Sequence, residues 1–524
     1  MRSTNAPEDE LDGFGSKKEE GLLFFKNSGF LRLILVVLIL LLGLVTRLID
    51  LGDPPLDFAA TRQLRSLIMA RGYYEAMDVP STREIAPEDR QFAVQAGQAE
   101  AVIEPPVMER LAAYTYALFG REDFRIPRLY SIFFWLLGGI PLYLLSGKLL
   151  GDTAAIATLA FYEFVPYGII SSRAFQPDPL MICLMLTAWF FQFHWFEKKT
   201  GGSAVLAGVF TGMAVLVKTT AVFFVGIPFI WLVFSSGFSK ALRNGMVYLM
   251  AALSLLPGVL FMLWNVTRGG NAGAVFGSRF FTSLYLQPHW YQSWFMTAKS
   301  LVGYFPLFLG VLAIFFFPGK KARIWYLCLW LAYLLLGFVF SYHISTHDYY
   351  SMPLIPIVAI GFGSAFSTIF KRIQEADPGW VAKVAVLAIL AFASALSLLK
   401  ARADLLESDY RHEVTYWKEL GQKIGRNSRV VALTHDYGYR LIYWGYIRPT
   451  LWETWGDLYV ANLSGQEQLP FAQEFEEKTK GYNYFLVTLI DDFNSQTQLH
   501  DTLYANYPYE SGDGYILFDL QHPN

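Results

Sequence analysis

The sequence predicts a polytopic α-helical membrane protein with water-exposed inserts, and three observations carry that reading. Of the 524 residues 54% are hydrophobic and only 16% are charged, against about 25% charged in an ordinary soluble domain. The charges are unevenly spread: residues 1–29 hold 10 of the 86, residues 50–127 hold 21 and residues 400–524 hold 29. The other 292 positions carry 26, too few to clothe a soluble core of that size. A purely soluble enzyme is excluded.

Taken in order, residues 1–29 are polar and mixed in charge and read as a disordered cytoplasmic tail, not a cleavable signal. Apolar runs of spanning length follow at 30–49, 128–147, 153–171, 178–196, 203–217, 219–235, 246–264, 300–317, 324–342, 351–369 and 381–399. That makes about 11 transmembrane helices within a 30–399 domain, the fifth run being short and crowded against the sixth by Lys218. With the N-terminus inside, eleven Lys and Arg residues fall in short cytoplasmic loops and two, Arg173 and Lys218, in short outer ones. The long loop 50–127, the loop 265–299 with Arg268, Arg279 and Lys299, and the segment 400–524 are then extracytoplasmic.

The first outer loop is too patterned for a linker. Leu64, Leu67, Ile68 and Tyr74 recur at helical spacing, as do Met108, Leu111, Ala112, Tyr116 and Phe119 after Pro105 and Pro106. Both stretches are expected to be amphipathic helices lying in the membrane interface. Residues 400–524 alternate β-type runs (429–434, 484–489, 515–519) with helical patterns near 410–424 and 496–506, which predicts a small α/β domain. The net charge of −2 comes with no basic stripe, so nucleic acid is not an expected partner. Cys183 and Cys328 lie in apolar runs and form no disulfide or metal framework.

Few charges are left to carry chemistry. Asp50, Asp53 and Asp57 follow the first span; Arg173 and Asp178 bracket a turn; Lys218 stands alone between two spans; and His343, His347, Asp348, Tyr349 and Tyr350 fill another turn. In a bundle these would converge at one depth, where a carboxylate serves as general base and cations hold a phosphate. Each has a plainer alternative: solvated loop acids, an Arg173 that snorkels to lipid headgroups, histidines in a turn without metal geometry. Lys218 is the hardest to dismiss, because a lone charge among apolar residues is costly. Glu163, within the third span, should have a partner or line a cavity.

Several linked motifs then stand in order: Glu104-Pro105-Pro106, Leu118-Phe119-Gly120, Ile126-Pro127-Arg128-Leu129, Arg173 with Pro177-Asp178, Gly208 through Lys218, and Asp348-Tyr349-Tyr350 before Pro353. Over residues 30–400 the ordered set resembles the type C glycosyltransferases, in particular bacterial relatives of dolichyl-phosphate-mannose–protein mannosyltransferases (family 39) and of lipid A aminoarabinose transferases. The resemblance implies the type C fold and a polyprenyl-phosphate-sugar donor. It further implies transfer, with inversion, to a glycolipid, protein or glycan acceptor at the outer face of a bacterial plasma membrane. It assigns Asp57 as base and Asp178 as a second acid that positions the acceptor or a divalent ion. Arg173, Lys218, His347 and Tyr349 would hold the donor phosphate, and Glu104 and Arg62 would position acceptor or loop. Relatives often carry an Asp-Glu pair where Asp57 is followed by Phe58-Ala59-Ala60, so a two-acid reading is not available there; the resemblance requires no cofactor, and a divalent cation stays open. The alternative from another class is a lipid-linked saccharide flippase or transporter. It would place polar residues at the midplane of several spans and show repeat symmetry, and neither pattern is present in the sequence.

Overall fold

A computed structural model describes residues 29–267, 280–466 and 469–524. The tail apart from Gly29, together with Arg268 and Arg279, lies outside the described residues. Contacts divide the chain into two compact units. One holds Met1–Leu51, Val102–Val107 and Arg128–Glu407; the other holds Gly52–Ala101, Met108–Pro127 and Ser408–Asn524.

The secondary structure described in the first unit is helical, without strands. Among the described residues seven helices are long and apolar enough to cross a membrane: Gly29–Arg47, Arg125–Leu150, Asp178–Lys198, Gly245–Thr267, Lys320–Val339, Leu354–Glu375 and Trp380–Leu405. The chain is a multi-pass membrane protein. The apolar run at 300–317 belongs to a pair, Pro288–Val302 and Tyr304–Phe316, bent by 98° at Gly303, whose φ of 84° favours glycine. The runs at 203–217 and 219–235 form the shorter helices Gly201–Val217 and Ala221–Phe234, separated where Lys218 leaves the helix in extended backbone. The run at 153–171 is broken: Asp152–Phe164 ends before Pro166, whose missing N–H starts the short helix Pro166–Ser171. Gly201–Val217 packs against both Asp178–Lys198 and Gly245–Thr267. A Cβ on Gly212 would stand 2.2 Å from the Leu253 carbonyl oxygen, so only glycine permits that approach.

The second unit contains a five-stranded mixed sheet in the order β2-β1-β3-β5-β4, with β1 Val430–Leu433, β2 Thr450–Leu451, β3 Tyr484–Val487, β4 Tyr509–Gly512 and β5 Tyr515–Asp519. β1 is parallel to β2 and β3; β5 is antiparallel to β3 and forms a hairpin with β4 across Asp513-Gly514. Alternation sends Val431, Leu433, Phe485 and Val487 to a core with Trp452, Phe475 and Phe493. Val430, Ala432 and Leu486 face the opposite core with Trp417, Leu420 and Leu441.

Much of the loop between the first two long spans belongs to this second unit. The helix Ala60–Glu75 packs on Pro87–Gln98 and on Tyr439–Gly445, with Leu64, Leu67, Ile68 and Tyr74 buried. The apolar face expected to meet lipid therefore meets protein. Helix Val107–Phe119 buries Met108, Ala112 and Tyr116 but leaves Tyr114, Leu118 and Phe119 exposed.

Candidate active site

In the helical unit, the break after Gly201–Val217 and the start of Asp178–Lys198 bring Lys218 to Asp178. The Lys218 Nζ donates to Asp178 Oδ1 at 2.6 Å, with both side chains buried. Two tyrosines close over the ammonium: Nζ lies 5.0 Å from the ring centroid of Tyr349 and 5.1 Å from that of Tyr350. Burial in an aromatic setting strengthens both the ion pair and the cation–π contacts. Asp178 Oδ2 is buried with no partner among the described residues.

The segment expected as a turn is the short helix Ser341–Thr346 followed by the 3-10 helix Asp348–Ser351, and it supplies the neighbouring groups. His347 stacks edge-on against Tyr349 at 5.6 Å between centroids, and His343 lies 4.9 Å from His347 and 5.0 Å from Tyr350. The buried Tyr167 neighbours Asp348, whose carboxyl burial pushes up. Arg173 lies five residues before Asp178 in the chain. Its Nη1 and Nη2 donate to the carbonyls of Ile49 (2.5 Å) and Asp50 (2.8 Å), satisfying backbone oxygens where the first span ends. Glu163 has a partner: Arg47 Nη1 is 3.2 Å from its Oε2, both side chains fully buried, and Arg47 Nε donates to Ser172 Oγ at 2.7 Å. Glu104 is half-buried before Pro105.

Asp57 and Arg62 belong to the second unit. Asp57, half-buried, accepts from Gln63 Nε2 at 3.4 Å, and the same nitrogen donates to the Phe58 carbonyl at 2.7 Å. This places the carboxylate at the entrance to the helix Ala60–Glu75, after Ala59 in a left-handed conformation (φ 43°). Arg62 is half-buried in the first turn of that helix. Neighbouring acids of the unit are committed: Asp53 accepts from the Tyr410 N–H (3.0 Å) and pairs with Arg411, and Asp436 accepts from Thr61 and Arg440.

A divalent ion fits this donor set poorly. The described residues contain no group of three or more His, Cys, Asp or Glu arranged to hold one. Asp178, the acid expected to help bind it, already faces an ammonium. The sequence reading placed Tyr350 in the candidate turn without a role and did not single out Tyr167 or Arg47. Of these only Arg47, a charge in the last turn of an apolar span, carries a signal in sequence.

Residues 103–264 match the family model described as dolichyl-phosphate-mannose-protein mannosyltransferase, a stretch that includes Arg173, Asp178 and Lys218. Crystallised ArnT from Cupriavidus metallidurans, in the apo state, superposes with a TM-score of 0.59 at 15% identity over 92% of this chain and 97% of that one. The chain has the type C glycosyltransferase fold. The same protein bound to undecaprenyl phosphate aligns with a TM-score of 0.58 at 14% identity, covering 94% of this chain and 98% of that one. The archaeal oligosaccharyltransferase AglB from Archaeoglobus fulgidus, in complex with an inhibitory peptide and a dolichol-phosphate, shares the fold too. Its TM-score is 0.55 at 12% identity, over 93% of this chain and 74% of that one. No curated protein matches the sequence. Within the type C fold, the Lys218–Asp178 pair and the tyrosines over it form an enclosed charged cluster in the helical unit.

Proposed function

We propose that the chain is a membrane glycosyltransferase that moves a sugar from a polyprenyl-phosphate-sugar donor to a glycolipid, protein or glycan acceptor at the outer face of the membrane. The observation that carries it is Lys218, a buried ammonium with two N–H donors beyond the one given to Asp178, set among tyrosines in a type C fold. Such a cation suits a lipid phosphate leaving group. The resemblance to ArnT bound to undecaprenyl phosphate and to AglB in complex with dolichol-phosphate supports the same donor class.

In this reading the acceptor oxygen or nitrogen attacks the sugar C1 as the C1–O bond to phosphate breaks from the opposite side, inverting that carbon. The acceptor proton passes to Asp57 acting as base. The bonding electrons leave with the phosphate, where Lys218 neutralises the developing charge, assisted by the rings and imidazole of Tyr349 and His347. A phosphate is already a good leaving group, so no strong general acid is needed. Asp178 holds Lys218 in place through Oδ1 and leaves Oδ2 to accept from a substrate hydroxyl. Arg173, which donates to the carbonyls of Ile49 and Asp50 where the first span ends, assists at the donor phosphate. Arg62 and Glu104 position the acceptor or the loops beside it.

The reading places the protein in a bacterial plasma membrane with its N-terminus cytoplasmic and residues 400–524 outside, as an eleven-span protein. Mass spectrometry of lipid-linked sugars and envelope glycans from cells with and without the protein tests it. Loss of one glycan modification with accumulation of its lipid-linked sugar is the expected result. Identical profiles would contradict it.

A further inference from the structure

The second unit contains a cavity of about 600 Å³ between the end of Ala60–Glu75 and the helix Pro87–Gln98. The reaction proposed above uses none of its residues. At its wall stands Glu75, 5% exposed, whose Oε2 has no hydrogen-bond partner among the described residues. A buried carboxyl oxygen left without a partner costs free energy, so its retention points to a ligand that satisfies it.

The rest of the lining narrows the ligand. Arg90 Nε and Nη2 donate to the Glu75 and Met77 carbonyls at 2.8 and 3.2 Å, and Arg83 pairs with Asp78 at 2.9 Å. Both guanidiniums stand in the wall, so an ammonium ligand is repelled, while Glu75 repels a phosphate or carboxylate. Gln91 and Gln95 add neutral donors and acceptors, and Ile85, Pro87 and Val94 add an apolar surface. Mixed donors and acceptors of no net preference for charge, over a small apolar floor, suit a neutral polyhydroxylated ring. Burial and the Glu122 carboxylate push the Glu75 carboxyl up to about 7, against the pull of Arg71 and Arg90. It can therefore donate as well as accept near neutral pH.

We infer that this cavity is a saccharide subsite, binding one neutral sugar unit of the acceptor through Glu75, Gln91 and Gln95. That the sugar belongs to the acceptor rests on the transferase reading; that the cavity binds a sugar does not.

The test uses the full chain in detergent and saturation-transfer NMR with methyl glycosides of a hexose, an N-acetylhexosamine and a pentose. Methylammonium and inorganic phosphate serve as charged probes. Two variants are compared with the wild type: Glu75→Gln replaces one of the two carboxyl oxygens with a permanent N–H donor and removes the charge, and Val94→Trp fills the cavity from a half-exposed helix position. Saturation of at least one glycoside by the wild type, falling about fivefold or more in Val94→Trp, is expected. The same fall in Glu75→Gln, with cleavage of the lipid donor unchanged in both variants, supports the assignment. Should Glu75→Gln fail to fold, Val94→Trp decides alone. No saturation of any glycoside, an equal signal in Val94→Trp, or saturation of a charged probe instead would overturn it. Glycoside binding without donor cleavage by the wild type would remove the transferase reading and keep the subsite. Donor cleavage without glycoside binding would remove the subsite alone.

Discussion

The Lys218 ammonium and the Asp178 carboxylate meet at 2.6 Å with side-chain exposures of 3% and 1%. A pair so thoroughly removed from water is weak evidence for stability, because desolvation offsets most of the Coulomb gain. Breaking it one-sidedly is another matter.

Lys218→Met leaves Asp178 buried and uncompensated, at a cost of about 3–5 kcal/mol. The double variant Lys218→Met with Asp178→Asn is expected to recover most of the lost thermal stability in detergent and none of the transfer activity. Recovery of activity along with stability would show that the pair is structural.

Tyr349→Leu and Tyr350→Leu each remove a ring from the ammonium, worth about 0.5–2 kcal/mol in a desolvated setting. Steady-state kinetics with a polyprenyl-phosphate sugar should show the KM for donor rising about threefold or more in each. An unchanged donor KM in both would separate the rings from donor binding.

Arg47 and Glu163 form a second buried pair, 3.2 Å apart, that ties the first span to the break before Pro166. Arg47→Met should lower the melting temperature strongly, by the same roughly 3–5 kcal/mol mechanism, whereas Arg47→Met with Glu163→Leu should be close to wild type. Two single variants and the double, measured by thermal unfolding, complete the cycle.

Glu75 gives a pH dependence of defined sign. Its carboxyl is pushed up to about 7 by burial and Glu122. Between the ordinary carboxyl range and that value the folded protein keeps a proton that the unfolded chain has released, so stability falls as pH rises through this window. Glu75→Gln should remove the fall, flattening the melting temperature between about pH 5 and pH 8 by an amount of order 1 kcal/mol, moderated by partial solvent screening. An unaltered slope would assign the dependence to other groups.

Much of this architecture was legible in the sequence, and the gaps have physical causes. Apolar runs located the helices of the first unit, because lipid and protein interiors both demand them. They separated two runs at Lys218, but they did not show the breaks at Pro166 and Gly303, which depend on backbone direction and not on hydrophobicity. β1, β3 and β5 were readable from apolar runs at 429–434, 484–489 and 515–519. β2 has only two residues, and β4 (Tyr-Glu-Ser-Gly) is exposed throughout, so neither carries a hydrophobic signal. The lone charges Lys218 and Asp178 stood out, but a pairing across 40 residues leaves no local pattern. The carbonyls of Ile49 and Asp50 that Arg173 meets are backbone atoms that no residue type announces. The face of Ala60–Glu75 looked like a lipid-facing stripe, since a stripe that meets Tyr439–Gly445 and one that meets a membrane have the same period.

The central claim is tested most directly by incubating the purified chain with a labelled polyprenyl-phosphate sugar and following release of the lipid phosphate alongside sugar transfer. The wild type should release lipid phosphate and transfer sugar with inverted configuration. Asp57→Asn, equally folded and membrane-inserted, should lose transfer by about a hundredfold or more. Full transfer by Asp57→Asn would remove that carboxylate from the mechanism, and a wild type that leaves every polyprenyl-phosphate sugar intact would contradict the account.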